Sequence, residues 1–229
     1  MEIMILDKRQ TYLQLAFNST IYDAYSILSR VPPSPKIIIE AGTPLIKREG
    51  IGAVSSLVSY WTSRCRGQSF VPYVVADLKV IDRAETEVAM AVAAGAKGVV
   101  CMASAPTSTV RAFLSACKTH GVDSYLDFMG IEHPHKRLRE LKTAPDVALL
   151  HRGVDEESDK MNRVAFPIHQ INKLRGTYNV KIGIAGGDTL REVQSAIFNS
   201  ADIVVLWKQL FTNQTFDSVV FEDFLKQIK

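Results

Sequence analysis

The sequence predicts an α/β fold, a (β/α)8 TIM barrel built as a single domain over residues 1–229. Three observations carry this. Short apolar runs recur eight times with amphipathic helical stretches between them, so strands alternate with helices and pair in parallel. The runs are too hydrophobic to have a solvated face, as expected of strands covered on both sides. The length of 229 residues falls in the roughly 200–250 that α/β barrels use for one domain. An open doubly wound sheet is the competing architecture, but no GxGxxG follows the first strand.

Taken in order, strands are expected at Leu13–Phe17, Lys36–Glu40, Val71–Ala76, Gly98–Met102, Val122–Asp127, Val147–Leu150, Val180–Ile184 and Ile203–Leu206. Helices are expected at Ile21–Val31, Ile51–Arg64, Ala84–Ala94, Thr107–Thr119, Pro134–Leu141, Phe166–Arg175 and Thr189–Asn199, with a last one from about Val219 to the end. Gly95 and Gly121 stand just past two of them, as C-terminal glycines do. Asp188 is placed to cap the helix that opens at Thr189. Pro32, Pro33 and Pro35 punctuate the first helix-to-strand connection.

With 47% hydrophobic and 22% charged residues, the chain can bury a sizeable core. A formal net charge of +3 is too mild to imply nucleic acid, though it suits an anionic small substrate. Cys65, Cys101 and Cys117 are odd in number and lack CxxC spacing, which points to reduced, buried thiols in the cytoplasm. The charged residues Asp7, Lys8 and Arg9 follow a short apolar start too closely for a signal peptide. No run approaches the roughly 18 apolar residues that span a bilayer, so no membrane partner is expected.

The chemistry concentrates where strands end. Val74-Val75-Ala76 gives way to Asp77, Lys79 and Asp82. Residues two apart share a face of a strand, so Asp77 and Lys79 would point the same way, expensive in a core and useful in a catalytic site. Active sites of such barrels lie at the C-terminal ends of the strands. The second strand ends in Glu40, the fifth in Asp127, the sixth in His151 and Arg152, and the seventh in Gly186-Gly187. Glu40 either caps the loop that follows it or, with Asp77 on the neighbouring strand, offers two hard carboxylates to a divalent metal such as Mg²⁺, which rarely receives a complete protein cage. Lys79 is either an ion-pair partner of Asp77 or Asp82, or a group that holds an oxyanion or transfers a proton. His151 is the best acid/base candidate among five histidines, since His120, His133, His135 and His169 fall on helices or loops. Arg152 either pairs with a phosphate or bridges to Asp155 or Glu156. The glycine turn Gly186-Gly187 offers backbone N–H groups to an anion.

Together these residues resemble the orotidine 5′-phosphate decarboxylase suprafamily, whose DxKxxD pattern stands here as Asp77, Lys79 and Asp82. Within it the chain is most similar to the 3-hexulose-6-phosphate synthases, through Leu13-Gln14-Leu15-Ala16, Glu40-Ala41-Gly42-Thr43-Pro44, Asp127-Phe128-Met129-Gly130, His151-Arg152-Gly153-Val154 and Ala185-Gly186-Gly187. Metal-free orotidine decarboxylases carry a lysine where Glu40 stands. The 3-keto-gulonate 6-phosphate decarboxylases carry an arginine where Val154 stands.

The resemblance implies an aldolase (an aldehyde-lyase) that condenses ribulose 5-phosphate with formaldehyde through an enediolate. Glu40 and Asp77 would hold Mg²⁺ or another divalent cation. Lys79, His151, Asp77 and Asp82 would be catalytic; Asn18, Arg152, Gly186, Gly187 and Lys208 would bind the sugar phosphate. The residue matching Asp82 reaches the site of a partner subunit, which implies a homodimer with active sites at the interface.

Two positions depart from the family pattern. Where the first strand normally ends in aspartate, this chain has Asn18, which keeps a hydrogen-bonding shape without the charge. Where the eighth normally ends in Gly-Arg, it has Trp207-Lys208. Lys208 supplies a point charge without a bidentate fork, and the indole occupies space a glycine would open to phosphate. Two other readings therefore stand beside the synthase: a superfamily decarboxylase or lyase with an altered substrate, and a non-catalytic dimeric barrel that binds a ligand or regulates.

Overall fold

The structure, a computed structural model, describes residues 4–158, 168–186, 189–207, 211–212 and 215–228. Eight parallel strands close into a barrel in sequence order: β1 (Tyr12–Phe17), β2 (Ile37–Ala41), β3 (Tyr73–Val80), β4 (Gly98–Met102), β5 (Asp123–Asp127), β6 (Val147–His151), β7 (Lys181–Ala185) and β8 (Ile203–Leu206). β8 returns to pair with β1, so the barrel leaves no edge strand to be covered. A two-stranded ribbon of β9 (Phe211–Thr212) and β10 (Thr215–Phe216) follows.

The expected helices are found as α1 (Ile21–Leu28), α3 (Gly52–Arg64), α4 (Ala84–Ala93), α5 (Thr107–His120), α6 (Pro134–Leu141), α8 (His169–Arg175), α9 (Leu190–Phe198) and α10 (Ser218–Gln227). Phe166, the expected start of α8, lies outside the described residues. Two short helices went unforeseen, α2 (Thr43–Glu49) and α7 (Val154–Ser158), both on loops at the C-terminal ends of strands. α2 carries its own punctuation, with Pro44 in its first turn and Gly50 at φ 75° after its last residue. The cap of α9 also differs from expectation. Thr189 caps it, accepting from the Glu192 amide while Glu192 reaches back to Thr189, because Thr189 is extended and begins the capping box that Thr-x-x-Glu encodes; Asp188 lies outside the described residues.

Inward-facing residues alternate along each strand and sort by depth. Above the floor the interior is mostly apolar: Tyr12, Ile38, Tyr73, Val75, Val100, Tyr125, Val147 and Ile203 fill it together with Leu6 from the N-terminal segment. Gly98 makes room for this packing, since a Cβ there would fall 2.7 Å from the Tyr125 ring and 2.8 Å from the Tyr73 hydroxyl. Most of the apolar core lies outside the strands, between the barrel and the helices.

The floor is polar and tied. Asp123, 1% exposed, accepts from the amides of Ile5 (2.7 Å) and Leu6 (3.1 Å) and from the Tyr73 hydroxyl (2.7 Å). Lys181 donates to the carbonyls of Lys8 (3.3 Å) and Gln10 (2.9 Å). Removing the Asp123 carboxylate would leave buried donors unmet, at about 1–3 kcal/mol. Asp123→Ala is expected to lower the urea midpoint accordingly while leaving the distant barrel mouth functional; an unchanged midpoint would show that the N-terminal plug contributes nothing.

Candidate active site

The C-terminal ends of the strands surround a cavity of about 540 Å³. Glu40, Asp77, Lys79 and His151 line it, with Asn18, Arg152, Gly186 and Trp207 around them. Lys208 and Gly187, also expected at this mouth, lie outside the described residues.

Asp127 is the hub of the cluster. It is completely buried, and its Oδ2 meets Lys79 Nζ at 2.7 Å and His151 Nδ1 at 2.8 Å. Its Oδ1 accepts from the Met129 amide at 2.9 Å. Burial works to raise its pKa, but the charges and hydrogen bonds of His151 and Lys79 outweigh it and hold the carboxyl at about 2. In the sequence Asp127 stands only as the end of the fifth strand, with no role assigned to it. Its signal was weaker than that of Glu40, since only Tyr125 and Leu126 precede it as apolar residues in a strand that opens on Asp123 and Ser124.

Lys79 reaches both Asp127 and Asp77, the latter at 3.2 Å, so its partners are these two and not Asp82. It does not arrive there by simple strand alternation. The β3–β4 register shifts between Ala76 and Val80, and Lys79 stands at φ 47°, a left-handed conformation that non-glycine residues seldom adopt. The bulge re-aims the side chain into the mouth, and the two ion pairs offset the backbone strain. Burial works against the ammonium, yet Asp77 and Asp127 together push its pKa above the ordinary lysine value. Lys79 is therefore a fixed cation at neutral pH.

His151 behaves differently. Burial lowers its pKa, but the Asp127 charge and hydrogen bond more than compensate, leaving a net rise from 6.5. With Nδ1 tied to Asp127, Nε2 is the nitrogen left for a ligand.

Glu40, at the end of β2, is 6% exposed and accepts from Gln14 Nε2. Burial and the neighbouring Asp77 charge raise its pKa to about 7, against smaller opposing effects from Gln14, Lys79 and His151. Asp77 is held by Thr43, whose hydroxyl lies 2.7 Å from its carbonyl and 2.9 Å from its Oδ2. That hydroxyl is brought in by α2, one of the two helices not expected from the sequence. Asp77 Oδ1 is buried and has no hydrogen-bond partner among the described residues.

One expectation changes. Arg152 does not bridge to Asp155 or Glu156: its guanidinium donates to the Gly186 carbonyl and lies 3.6 Å from Glu192, while Glu156 accepts from the Gly153 amide. Gly186 at φ 90° packs so closely on Arg152 that a Cβ would collide with the Arg152 carbonyl, which explains the glycine. Asp82, which the resemblance assigns to a partner's site, is exposed on the loop between β3 and α4, outside this chain's own cavity.

Fold and site together define a (β/α)8 barrel with a buried carboxylate–lysine–histidine centre at its mouth. A family model described as Orotidine 5′-phosphate decarboxylase / HUMPS family matches residues 11–206, and the chain belongs to that family. Among its relatives, the bifunctional enzyme Fae/Hps of Methanocella arvoryzae is 34% identical over 200 residues, covering 87% of this chain and 48% of the relative. The corresponding Fae/Hps of Methanocaldococcus jannaschii is 36% identical over 187 residues, covering 81% and 44%. The chain spans about half the length of the curated relatives it matches. Its fold is that of the 3-hexulose-6-phosphate synthase of Salmonella typhimurium, with a TM-score of 0.79 at 22% identity over 94% of this chain and 99% of that one. The KGPDC of Streptococcus mutans has the same fold, with a TM-score of 0.69 at 19% identity over 96% and 99%.

Proposed function

We propose that the chain is an aldolase of the 3-hexulose-6-phosphate synthase type, condensing ribulose 5-phosphate with formaldehyde and reversing that reaction. The observation that carries this is the pairing of Glu40 with Asp77 beside the Lys79–Asp127–His151 hub. Val154 supports it: this residue lines the cavity, where an arginine would otherwise enter the mouth. The Fae/Hps relatives support it from sequence.

The donor set fits a hard divalent cation, Mg²⁺ being the natural choice. Two buried carboxylates crowd together, one proton is held up to about pH 7, and Asp77 Oδ1 lacks a partner among the described residues. No group of three or more His, Cys, Asp or Glu suited to a metal occurs among the described residues. Glu40 and Asp77 would hold the cation, with substrate oxygens and water completing the shell. When bound, it would supply Lewis-acid stabilisation of the enediolate oxygens. The protein's own part is proton transfer and charge placement. His151 Nε2 removes the proton from ribulose 5-phosphate and returns one to the new alkoxide after the carbon–carbon bond to formaldehyde forms. Asp127 holds the imidazole in one tautomer, and Lys79 offsets the developing negative charge without losing its proton.

Asn18, Arg152 and Gly186 line the cavity and would contact the sugar phosphate; by the resemblance alone, Gly187 and Lys208 would bind it too. Asp82 would serve the site of a second copy, in a homodimer. Its exposed loop, where Ile81 is 53% exposed, supports that placement. The three free, buried cysteines suit a reducing cytoplasm.

Incubation with ribulose 5-phosphate, formaldehyde and Mg²⁺ is expected to yield hexulose 6-phosphate. Lys79→Ala should lose that turnover by at least about 10²-fold while keeping the barrel's circular dichroism. Absence of turnover, with no binding of ribulose 5-phosphate by calorimetry, would overturn the assignment. Trp207 in the cavity lining favours one second reading, a lyase of the same family with an altered substrate. Binding and turnover of a different ketose phosphate in place of ribulose 5-phosphate would establish that reading.

A further inference from the structure

Beneath the mouth, the barrel interior contains one amide that its packing does not need. Gln14 on β1 is completely buried. The register that sets Ala16 opposite Glu40 sets Gln14 opposite Ile38 on one side and Val205 on the other, so its neighbours across both strand pairs are aliphatic. Its Nε2 donates to Glu40 Oε2, while its Oε1 is buried with no hydrogen-bond partner among the described residues. An unmet buried acceptor is destabilising, and a leucine or methionine would fill the same volume without one. The amide is therefore poorly explained as core packing.

Its geometry has a specific consequence. A carboxylate on β2 without a lower contact is free to rotate about its last torsion, which is broad for glutamate. The Gln14 hydrogen bond fixes that torsion by tying one oxygen downward, which leaves the other for the mouth. A neutral donor does this without cancelling the charge, as a lysine would. We propose that Gln14 is a positioning residue that orients Glu40 for a divalent cation, an inference resting on the reading of Glu40 as a cation ligand. It sets how tightly the cation is held and not the chemistry of the loaded site. Partners behind a ligand commonly influence metal affinity by about 10- to 100-fold.

The test is calorimetric titration of Mn²⁺ into the wild-type protein, Gln14→Met and Glu40→Gln, with the melting temperature of each. Gln14→Met is expected to bind Mn²⁺ about 10- to 100-fold more weakly, with a melting temperature equal to or above that of the wild type. Its apparent KM for the cation should rise by the same factor, with kcat at saturating cation nearly unchanged. Should Gln14→Met not fold, Gln14→Asn keeps an amide but withdraws it by one methylene, and the same loss of affinity is expected. Unchanged Mn²⁺ affinity with a lowered melting temperature would make Gln14 merely structural, leaving the cation site standing. Wild-type protein that binds Mn²⁺ no better than Glu40→Gln would overturn both.

Discussion

Asp127→Asn is expected to reduce turnover by about 10²- to 10⁴-fold, the range over which a positioned acid/base group acts. The amide preserves shape and volume but reverses a hydrogen-bonding role. Asparagine can present N–H to His151 Nδ1, which would move the imidazole proton to Nε2 and leave the wrong tautomer facing the substrate. The pH profile should report the same event. His151 owes its raised pKa to Asp127 working against burial, so the variant's histidine limb should shift to lower pH. Stability should fall as well. A carboxyl lowered from 3.8 to about 2 stabilises the native state at pH values above the unfolded value, and that contribution is lost as pH drops through about 2. The linkage is worth about 2 kcal/mol at neutral pH, and Lys79 would be left with Asp77 as its remaining ion-pair partner. Rates measured across pH, with urea denaturation at pH 7, check both halves. Full turnover with an unmoved profile would remove Asp127 from the mechanism.

Much of this was legible in the residues, for reasons that differ between strands and site. Strands such as Gly98–Met102 and Ile203–Leu206 are bounded by changes of composition that coincide with the observed ends. A parallel barrel buries both faces, so its strands announce themselves as apolar runs, and the residue that ends such a run tends to stand at the mouth. Glu40 and His151 follow that rule, while Asp127 ends a strand whose first residues, Asp123 and Ser124, are polar. Lys79 does not follow it, because a bulge with a left-handed residue changes direction without leaving a mark in a hydrophobic pattern. The short helices were missed for another reason: α2 and α7 have too few turns to show a period. Pro44 and Gly50 marked the ends of α2 all the same, and with it the hydroxyl of Thr43 on Asp77. Arg152 shows the limit of reading charges along a chain. Asp155 and Glu156 are near in sequence, but its carbonyl partner, Gly186, comes from the neighbouring strand's end.

The second large effect concerns Glu40, where function and stability pull in opposite directions. Glu40→Gln is expected to lose cation affinity and turnover by at least about 10²-fold, and yet to be more stable than the wild type in cation-free buffer at pH 8. The sign follows from the raised pKa. In the unfolded chain this carboxyl ionises near 4.5, whereas in the folded barrel it keeps its proton up to about 7. Between those values the native state binds the extra proton, so stability declines as pH rises through the window and the full penalty is reached above it. The shift corresponds to about 3 kcal/mol for this buried group. Glutamine, uncharged at every pH, carries no such penalty and can still hydrogen-bond to Gln14. The melting temperatures of variant and wild type should therefore be similar at pH 4 and separate by several degrees at pH 8, about 2–4 °C per kcal/mol for a chain of this size. Saturating Mg²⁺ should close the gap by stabilising the wild type alone. Cation uptake below pH 7 should also release a proton, visible as a calorimetric heat that varies with the buffer's ionisation enthalpy. If the two proteins melt together at pH 8, Glu40 is not a strained carboxylate, and a cation would have no repulsion between Glu40 and Asp77 to relieve.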